Sequence, residues 1–501
     1  MSFSFGVDTP WSTAAVGGFP NPTAPPSDSQ SFATMPGVQA PVLTVTVPDH
    51  DSGAGDIFTS NGPGPGRYGA LIYGPSGQLV WFDPAPKGIA DDDVSVQTYD
   101  GRRDLTFWQG KVLSLGFGQG KDYVLDSSYR TVATLSGGNG LEADLHDFQI
   151  APHDVAYITA YNPIRCNLGS FQGPKDGVIL DAAVEAIDIR TGLVRWEWHS
   201  LDHVVVSEAE TSPPDAPWDW FHINSIDVQS NGDVFISARN TWAGYQIAGG
   251  TGEILWRLGG LKSSFSMGPG TKTFWQHDGR ILANGDVTFF DDGSDPPEES
   301  QSRVVRIALD QKAHKARLAS SFTHPSPSLL AASQGNAQTL ASGNTVVGYG
   351  GVPYVSEYSK SGSLLFDAHF APDQLFYRAY RFPWSGRPQT PPAAVASLNN
   401  TAGETIVRMS WNGATGVASW RVLAGKRSGS LAAQATVGST GFETATILPK
   451  TFLCAARAKG CGTTQTNGYV AVQALDSGGH VIGSSRTVAV KTFAASFTSG
   501  G

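Results

Sequence analysis

The sequence predicts an all-β protein, a six-bladed β-propeller followed by a C-terminal β-sandwich of immunoglobulin or fibronectin type III kind. Short strands with alternating apolar residues recur along the chain, separated by turns rich in Gly, Asn and Ser. They group into units of roughly 40–55 residues, a length typical of propeller blades. Long amphipathic helices, which a TIM barrel or a Rossmann fold needs between its strands, are almost absent.

The chain opens on a lead rich in Pro, Ser and Gly, and we place an extended N-terminal arm at residues 1–44. The first part of this arm lacks the basic and apolar regions of a signal peptide. No window of the sequence approaches the run of about 18 apolar residues that marks a membrane-spanning helix. We therefore expect no integral membrane segment.

Residues 45–388 alternate two kinds of hairpin, and we assign them to the propeller. The first kind turns on Gly or Ser and ends in an aromatic residue, which predicts the outer strands of a blade. The second kind passes an Asn-Gly, Ser-Gly or His-Asp turn and continues into a β-branched run, which predicts the other strand pair. The outer hairpins are LIYGPSGQLVWFD, YVLDSSYRTVATL, AIDIRTGLVRWEWH, YQIAGGTGEILWRLGG and EYSKSGSLLFDAHF. Their partners are HDFQIAPHDVAYITAY, HINSIDVQSNGDVFISARN, QHDGRILANGDVTFFDD and SQGNAQTLASGNTVVGYGG.

Residues 389–501 lose the aromatic-closed repeat and show several short strands with a Trp and a Tyr among them, which predicts the β-sandwich. Two of the three cysteines, Cys454 and Cys461, fall in this part. Their spacing fits no metal site. The sequence is compatible with a disulfide between them and also with two free thiols. We expect Cys166 to be a buried or idle thiol.

The formal net charge of -10 argues against nucleic acid or an anionic membrane as the main partner, because both require a basic surface. An anion bound by this protein must be held by local geometry. The composition fits a monomer and a homodimer alike.

Three histidines stand at similar places in successive repeats: His146, His222 and His277. Asn224 and His277 each lie seven residues before the Asn of an Asn-Gly turn, so they occupy equivalent positions. His222 lies two residues before Asn224 and is therefore expected on the same strand face. Arg239 returns toward them on the next strand. Equivalent positions of propeller blades face a common axis, which predicts one shared site.

Imidazole, carboxamide and guanidinium groups together suit an anion with tetrahedral oxygens. Arg and Asn donate hydrogen bonds to the oxygens, and a neutral imidazole acts as nucleophile or proton carrier. A structural role for the histidines beside their turns is the alternative, and a metal site stays open because imidazole is a common ligand. We expect Asp147 and Asp278 to be structural. Trp242 and Trp275 are candidates for stacking on an aromatic ring.

At these residues the chain resembles the bacterial arylsulfotransferases that do not use a nucleotide sulfate donor. The resemblance covers about residues 40–388 and rests on NGLEADLHDFQI, FHINSIDV, ISARNTWA and FWQHDGR. The segments THPSPSLLAASQGNAQ and RFPWSGRP are similar to the branch found in actinobacteria and fungi.

The resemblance implies a six-bladed propeller and ping-pong transfer of a sulfuryl group from an aryl sulfate donor to a phenolic acceptor. His277 matches the nucleophile of the family, which carries the sulfuryl group as a sulfohistidine. His222 with Asn224, then Arg239, then His146 match its other site residues. We expect Arg239, Asn224 and His222 to hold the sulfonate oxygens, and His146 or His222 to protonate the departing phenolate and deprotonate the acceptor. The family implies no cofactor and no metal, and a secreted or periplasmic location.

Two other functions fit parts of the pattern. AIDIRTGLVRW and GGTGEILW also resemble quinoprotein dehydrogenases, although the adjacent cysteines and calcium site frequent in those enzymes are not visible. A non-catalytic secreted propeller that binds a glycan, a phenolic ligand or a protein is the stronger alternative. A deep axial pocket lined by the predicted residues favours catalysis, whereas a filled axis favours binding.

Overall fold

A computed structural model describes residues 28–49, 55–113, 116–214, 217–399, 404–448 and 468–492. These residues form an all-β protein. Their only α-helix is the single turn Ser200–His203. Short 3-10 turns occur at Pro152–Asp154, Gly169–Phe171, Val206–Glu208 and Arg239–Thr241.

Six sheets of four or five strands follow one another between residues 44 and 382. We name the strand that packs against the neighbouring sheets the inner strand, and it comes first below. Sheet 1 contains Ala379–Phe382, Asp56–Asn61, Gly69–Tyr73 and Leu79–Pro84. Sheet 2 contains Ala90–Tyr99, Arg102–Val112, Gly118–Leu125 and Thr131–Leu135. Sheet 3 contains Phe148–Ala151, Val155–Cys166, Gly177–Asp188 and Val194–His199.

The next three sheets repeat this antiparallel order, and two of them gain a fifth strand at the outer edge. Sheet 4 contains Ile223–Val228, Val234–Ala238, Ala243–Ile247 and Ile254–Gly259. Sheet 5 contains His277–Ile281, Val287–Asp291, Arg303–Asp310, Lys315–Thr323 and Ser266–Met267. Sheet 6 contains Asn336–Thr339, Thr345–Gly348, Tyr354–Tyr358, Leu364–His369 and Thr44–Val47.

The predicted hairpins are confirmed. Each aromatic-closed segment forms the third and fourth strands of its sheet, counted from the inner strand, and each partner segment forms the inner pair. The Asn-Gly turns place Gly232 and Gly285 at φ 88° and 85°. Backbone with such positive φ favours glycine, so the turn residue was a reliable guide to these strand ends.

The first and last parts of this region are hydrogen-bonded to each other. Ala379–Phe382 pairs antiparallel with Asp56–Asn61, and Leu364–His369 pairs with Thr44–Val47. Sheet 1 is thus built from both ends of the region. Because its inner strand is the last of the region to be synthesised, sheet 1 is completed only after the whole region has been synthesised.

Neighbouring sheets are joined by a repeated contact. A side-chain oxygen on or just before the inner strand of one sheet accepts a hydrogen bond from a backbone N–H of a neighbouring sheet. The acceptor and donor pairs are Asp91 with Ala70 at 3.1 Å, Asp93 with Phe148 at 3.2 Å, Asp147 with Ile226 at 2.7 Å, Ser225 with Gly279 at 2.8 Å, Asp278 with Ala337 at 2.8 Å, and Asn336 with Ala379 at 2.9 Å. These contacts join sheets 1 to 6 in one closed cycle.

Two arginines lie inside this cycle. Fully buried Arg378 contacts Asp93 at 3.0 Å and Asp147 at 3.3 Å. Arg280 contacts Asp147 at 2.9 Å and Asp278 at 2.7 Å. The five side chains, which we call the axial network, balance buried charges drawn from sheets 1, 2, 3 and 5.

Two further sheets form the C-terminal part of the chain and enclose an apolar core of their own that includes Val407, Trp420 and Val472. Sheet 7 contains Glu443–Leu448, Glu404–Ser410, Ala393–Asn399 and Lys491–Thr492. Sheet 8 contains Ser430–Gly438, Ser419–Arg427, Tyr469–Leu475, Val481–Ser484 and Val488–Ala489.

Within the expected N-terminal arm, the described residues include the hairpin of Ser29–Phe32 with Met35–Pro41. The sequence shows no strand periodicity here, and tertiary contacts explain the hairpin. Val38 is buried against the apolar core between sheets 1 and 6, and Phe32 contacts Phe442 with ring centroids 4.4 Å apart. Cys166 is half-buried and free, while Cys454 and Cys461 lie outside the described residues.

Arg378→Met should lower the free energy of unfolding by about 3–5 kcal/mol, because Asp93 and Asp147 lose their shared buried cation. Urea unfolding followed by circular dichroism measures the change. Arg165→Met is the matched control, since Arg165 contacts Asp176 with both side chains exposed, and we expect no measurable loss there. Equal effects of the two substitutions would contradict a special role for the axial network.

Candidate active site

A cavity of about 780 Å³ lies at one end of the inner strands. Each of the six sheets contributes to its wall near the beginning of the inner strand. From sheet 1 to sheet 6, these contributions include Tyr377, Asp92, His146, His222, His277 and Gln334. Trp218 and Phe376 add apolar surface. Residues distant in sequence therefore meet around one cavity.

Four of the five predicted site residues line this cavity: His146, His222, Arg239 and His277. The rings of His146 and His222 meet edge to face with centroids 4.6 Å apart. All three histidines are at most 7% exposed. The structure thus brings the predicted imidazoles and the guanidinium together.

Asn224 lies behind the cavity wall. Its Nδ2 donates to the backbone oxygen of Gln276 at 2.8 Å, and the side chain is fully buried. The expected common face with His222 does not form, because His222 has φ 60° and the strand pairing shifts between Ile223 and Ser225. This irregularity breaks the two-residue alternation that the prediction assumed.

Each cavity histidine is oriented by a carboxylate on its Nδ1. His146 contacts Asp144 at 2.6 Å, and His277 contacts Asp292 at 2.7 Å. His222 forms the same contact with Asp219. A carboxylate on Nδ1 fixes both the ring orientation and the tautomer, so Nε2 is left for the cavity.

Sequence reasoning missed these three carboxylates. They lie two residues before His146, three before His222 and fifteen after His277, so no common spacing reveals them. The immediate neighbours Asp147 and Asp278 join the axial network, as the expected structural role requires.

The two ring nitrogens of His277 have different partners, a carboxylate at Nδ1 and a backbone N–H at Nε2, which fits a neutral imidazole. The backbone N–H of Gln334 donates to Nε2 at 3.3 Å, so this nitrogen is an acceptor and Nδ1 carries the hydrogen that Asp292 accepts. Burial, followed by the positive charge of Arg239, lowers the pKa of His277 well below its usual value. Burial also lowers the pKa of His222.

Arg239 is fixed from several sides. Its guanidinium donates to Oδ1 of Asn240 at 3.0 Å and to the backbone oxygen of Ala332 at 3.1 Å. It lies over the ring of Trp275, 4.8 Å from the centroid. Trp275 and its neighbour Trp242 support this arginine from behind, and neither lines the cavity. The aromatic wall is formed by other residues.

Asp92 is an unpredicted acidic group in the cavity wall. The hydroxyl of Ser60 donates to its Oδ1 at 2.9 Å. Burial raises the pKa of Asp92 to about 7, and the neighbouring carboxylates Asp93 and Asp144 add to this shift. The only sequence signal was the run ADDDV, in which the three carboxylates have different surroundings.

Within the described ranges, no group of three or more His, Cys, Asp or Glu side chains is arranged to hold a metal ion. No helix among those residues is long and apolar enough to span a membrane. The chemistry available in the cavity is a neutral nucleophilic imidazole beside a guanidinium, with further imidazoles and a carboxyl group that carry protons.

The fold and the cavity define an all-β protein with a buried, histidine-lined site suited to group transfer. Residues 95–371, more than half of the chain, match the family described as arylsulfotransferase (ASST). The chain belongs to the arylsulfotransferase family. Membership supports an aryl sulfotransferase activity on small molecules, and this family is typically periplasmic or secreted.

No curated protein matches the chain. Among solved structures, a protein of unknown function from Bacteroides caccae is similar at 13% identity and TM-score 0.41, covering 65% of this chain and 98% of that one. A catalytically inactive virginiamycin B lyase from Staphylococcus aureus, solved with quinupristin, is similar at 10% identity and TM-score 0.35, covering 73% and 96%. At these values neither similarity informs the chemistry of the cavity.

The imidazole of His277 should remain neutral at pH 5.5, because burial and Arg239 oppose its protonation. Multiple-bond proton–nitrogen NMR on histidine-labelled protein reports the charge and the tautomer, and His277→Gln identifies the signal. His199 is the internal control, since hydrogen bonds to Asp181 and Glu197 raise its pKa to about 9 and keep it charged at pH 7.5. Protonation of His277 near its ordinary pKa would contradict the prediction.

Proposed function

We propose that this protein transfers a sulfuryl group from a phenolic sulfate ester to a phenolic acceptor by a ping-pong mechanism through a sulfohistidine at His277. One observation carries the proposal: His277 and Arg239 line the same cavity, and the carboxylate of Asp292 engages Nδ1, which leaves Nε2 as the attacking nitrogen once it is released from the N–H of Gln334. Family membership supports the reaction class.

We further propose that sheets 1 to 6 are the blades of a six-bladed β-propeller spanning residues 45–388. The closed cycle of contacts between neighbouring sheets supports this arrangement. We assign residues 389–501 to a fibronectin type III-like sandwich, supported by the two packed sheets with their own apolar core. The arm at residues 1–44 completes the proposed division.

In the first half-reaction, Nε2 of His277 attacks sulfur, and the bond between sulfur and the phenolic oxygen breaks. Arg239 pairs with the sulfonate oxygens, whose negative charge it offsets. The sulfated imidazole carries a positive charge, which Asp292 on Nδ1 stabilises. His146 and His222 border the space that the phenolic group would occupy.

In the second half-reaction, a phenolic oxygen attacks sulfur and the bond between sulfur and Nε2 breaks, which restores neutral His277. The predicted role of Asn224 becomes indirect, because its amide holds the backbone of Gln276 next to the nucleophile. The reaction needs no cofactor. We place the protein outside the cytoplasm, as is typical of its family.

The wild-type protein should gain the mass of one sulfuryl group after brief exposure to p-nitrophenyl sulfate. His277→Ala should gain none, because the attacking nitrogen is missing. Intact-protein mass spectrometry measures the adduct, and optical detection of nitrophenolate follows turnover. His480→Ala, which removes an exposed imidazole from the C-terminal part, is the control and should behave as wild type. Adduct formation in His277→Ala would sink the proposed nucleophile.

Arg239→Met should lower kcat for nitrophenolate release by about 10²–10³, because the charge that offsets the sulfonate oxygens is removed. Arg427→Met removes an exposed arginine of sheet 8 and should leave kcat unchanged. Steady-state kinetics with a fixed phenolic acceptor makes the comparison. An Arg239→Met enzyme with wild-type kcat would show that this guanidinium does not act on the reacting group.

A further inference from the structure

We infer that Asp92 is a catalytic residue that gives its proton to the departing phenolic oxygen and takes the proton of the acceptor phenol. This inference rests on the proposed function and adds a residue to it. The position of Asp92 in the cavity wall, its exposed second oxygen atom and its place in the cycle of sheets all support the assignment.

Asp92 and the nucleophile line the same cavity from two sheets that are opposite each other in the cycle. The six sheets follow one another in a closed cycle, and sheet 2, which carries Asp92, is three steps from sheet 5 in both directions. Sheet 5 carries His277. Transfer of a tetrahedral oxyanion group places the attacking and departing atoms in line on opposite sides of its centre. A leaving oxygen opposite Nε2 of His277 is therefore directed toward the side of Asp92.

The local backbone turns the carboxyl group inward. The strand pairing shifts between Asp92 and Ser95, and Asp93 has φ 53°, so Asp92 enters the cavity while Asp93 joins the axial network. Oδ1 of Asp92 accepts from Ser60. In the described part of the chain, no hydrogen bond occupies Oδ2, which leaves that atom to a ligand.

The surroundings of Asp92 favour a carboxyl group that both holds and releases a proton. Burial and two nearby carboxylates raise its pKa to about 7. Arg378 contacts Asp93 and Asp147 of the axial network rather than Asp92. Three segments place titratable or charged groups around Asp92. Its own strand contributes Asp91 and Asp93, and the segment before sheet 3 contributes Asp144 and His146. The segment before the inner strand of sheet 1 contributes Tyr377 and Arg378.

The proton balance closes over the two half-reactions. As the bond from sulfur to the first phenolic oxygen breaks, protonated Asp92 delivers its proton to that oxygen and becomes a carboxylate. As the acceptor oxygen forms its bond to sulfur, the carboxylate removes the phenolic proton and is again protonated. His277 begins and ends as a neutral imidazole, so no other proton source is needed.

Single-turnover kinetics with two donors tests the assignment. Phenyl sulfate releases a phenol whose pKa is about 10, like that of tyrosine, and its oxygen needs a proton as it leaves. p-Nitrophenyl sulfate releases a far more acidic phenol that leaves without help. Asp92→Asn should slow sulfation of His277 by about 10²–10⁴ with phenyl sulfate and by less than about tenfold with the nitrophenyl ester.

The pH dependence provides the second readout. With phenyl sulfate, the wild-type rate should fall as the pH rises through about 7, because Asp92 must be protonated, and Asp92→Asn should lose this descending limb. Asp295→Asn is the matched control. It removes a carboxylate from the same cavity near Arg239, and it should change the rates of the two esters by the same factor.

The outcomes separate this inference from the proposed function. Wild-type turnover combined with equal losses for both esters in Asp92→Asn would overturn the role of Asp92 and leave sulfuryl transfer intact. Absence of both adduct and turnover in the wild type would overturn the two together. A selective loss with phenyl sulfate, with the altered pH profile, is the expected result.

Discussion

The axial network is the interaction on which the rest of the structure depends. Four of its five residues each follow a residue of the cavity wall: Asp93 follows Asp92, Asp147 follows His146, Asp278 follows His277 and Arg378 follows Tyr377. Because buried charges tolerate little displacement from their partners, the network fixes the backbone next to each of these cavity residues. The same carboxylates also accept backbone N–H groups of the next sheet, so one set of side chains joins the sheets and positions the site.

The cavity combines three features that are individually unfavourable and together useful. Burial keeps His277 neutral, which preserves the lone pair that a nucleophile needs. Burial also makes Arg239 an unusually strong electrostatic partner, and its contacts with Asn240, Ala332 and Trp275 hold it in place before a ligand arrives. A fixed charge in such a place needs no reorganisation when negative charge develops. The carboxylates behind the histidines complete the arrangement, since they orient the rings while leaving Nε2 toward the cavity.

Much of the fold could be predicted from the sequence because turn chemistry and two-residue alternation are local signals. The hairpins around Gly232 and Gly285 needed only those signals. The meeting of His146, His222, His277 and Arg239 followed from their places in the repeats. Asn224 does not line the cavity as expected, because a positive φ at His222 redirects the strand. No local sequence pattern indicates that φ. Asp92 and the carboxylates that orient the histidines were not predicted, because their sequence distances from the histidines differ. Only the tertiary structure brings them together.

Additional strands and one side chain of the C-terminal part cover the outer edges of three sheets. An exposed edge strand presents unpaired backbone groups that invite pairing with other chains. Ser266–Met267 covers the edge of sheet 5, and Thr44–Val47 covers that of sheet 6. At the edge of sheet 1, Asn412 of the C-terminal part bonds both the N–H and the oxygen of Phe82, at 3.0 and 2.9 Å. Among the described residues, no side chain after residue 388 lines the cavity. The C-terminal part therefore covers an edge of sheet 1, while the cavity is lined by sheets 1 to 6 and the segments that connect their strands.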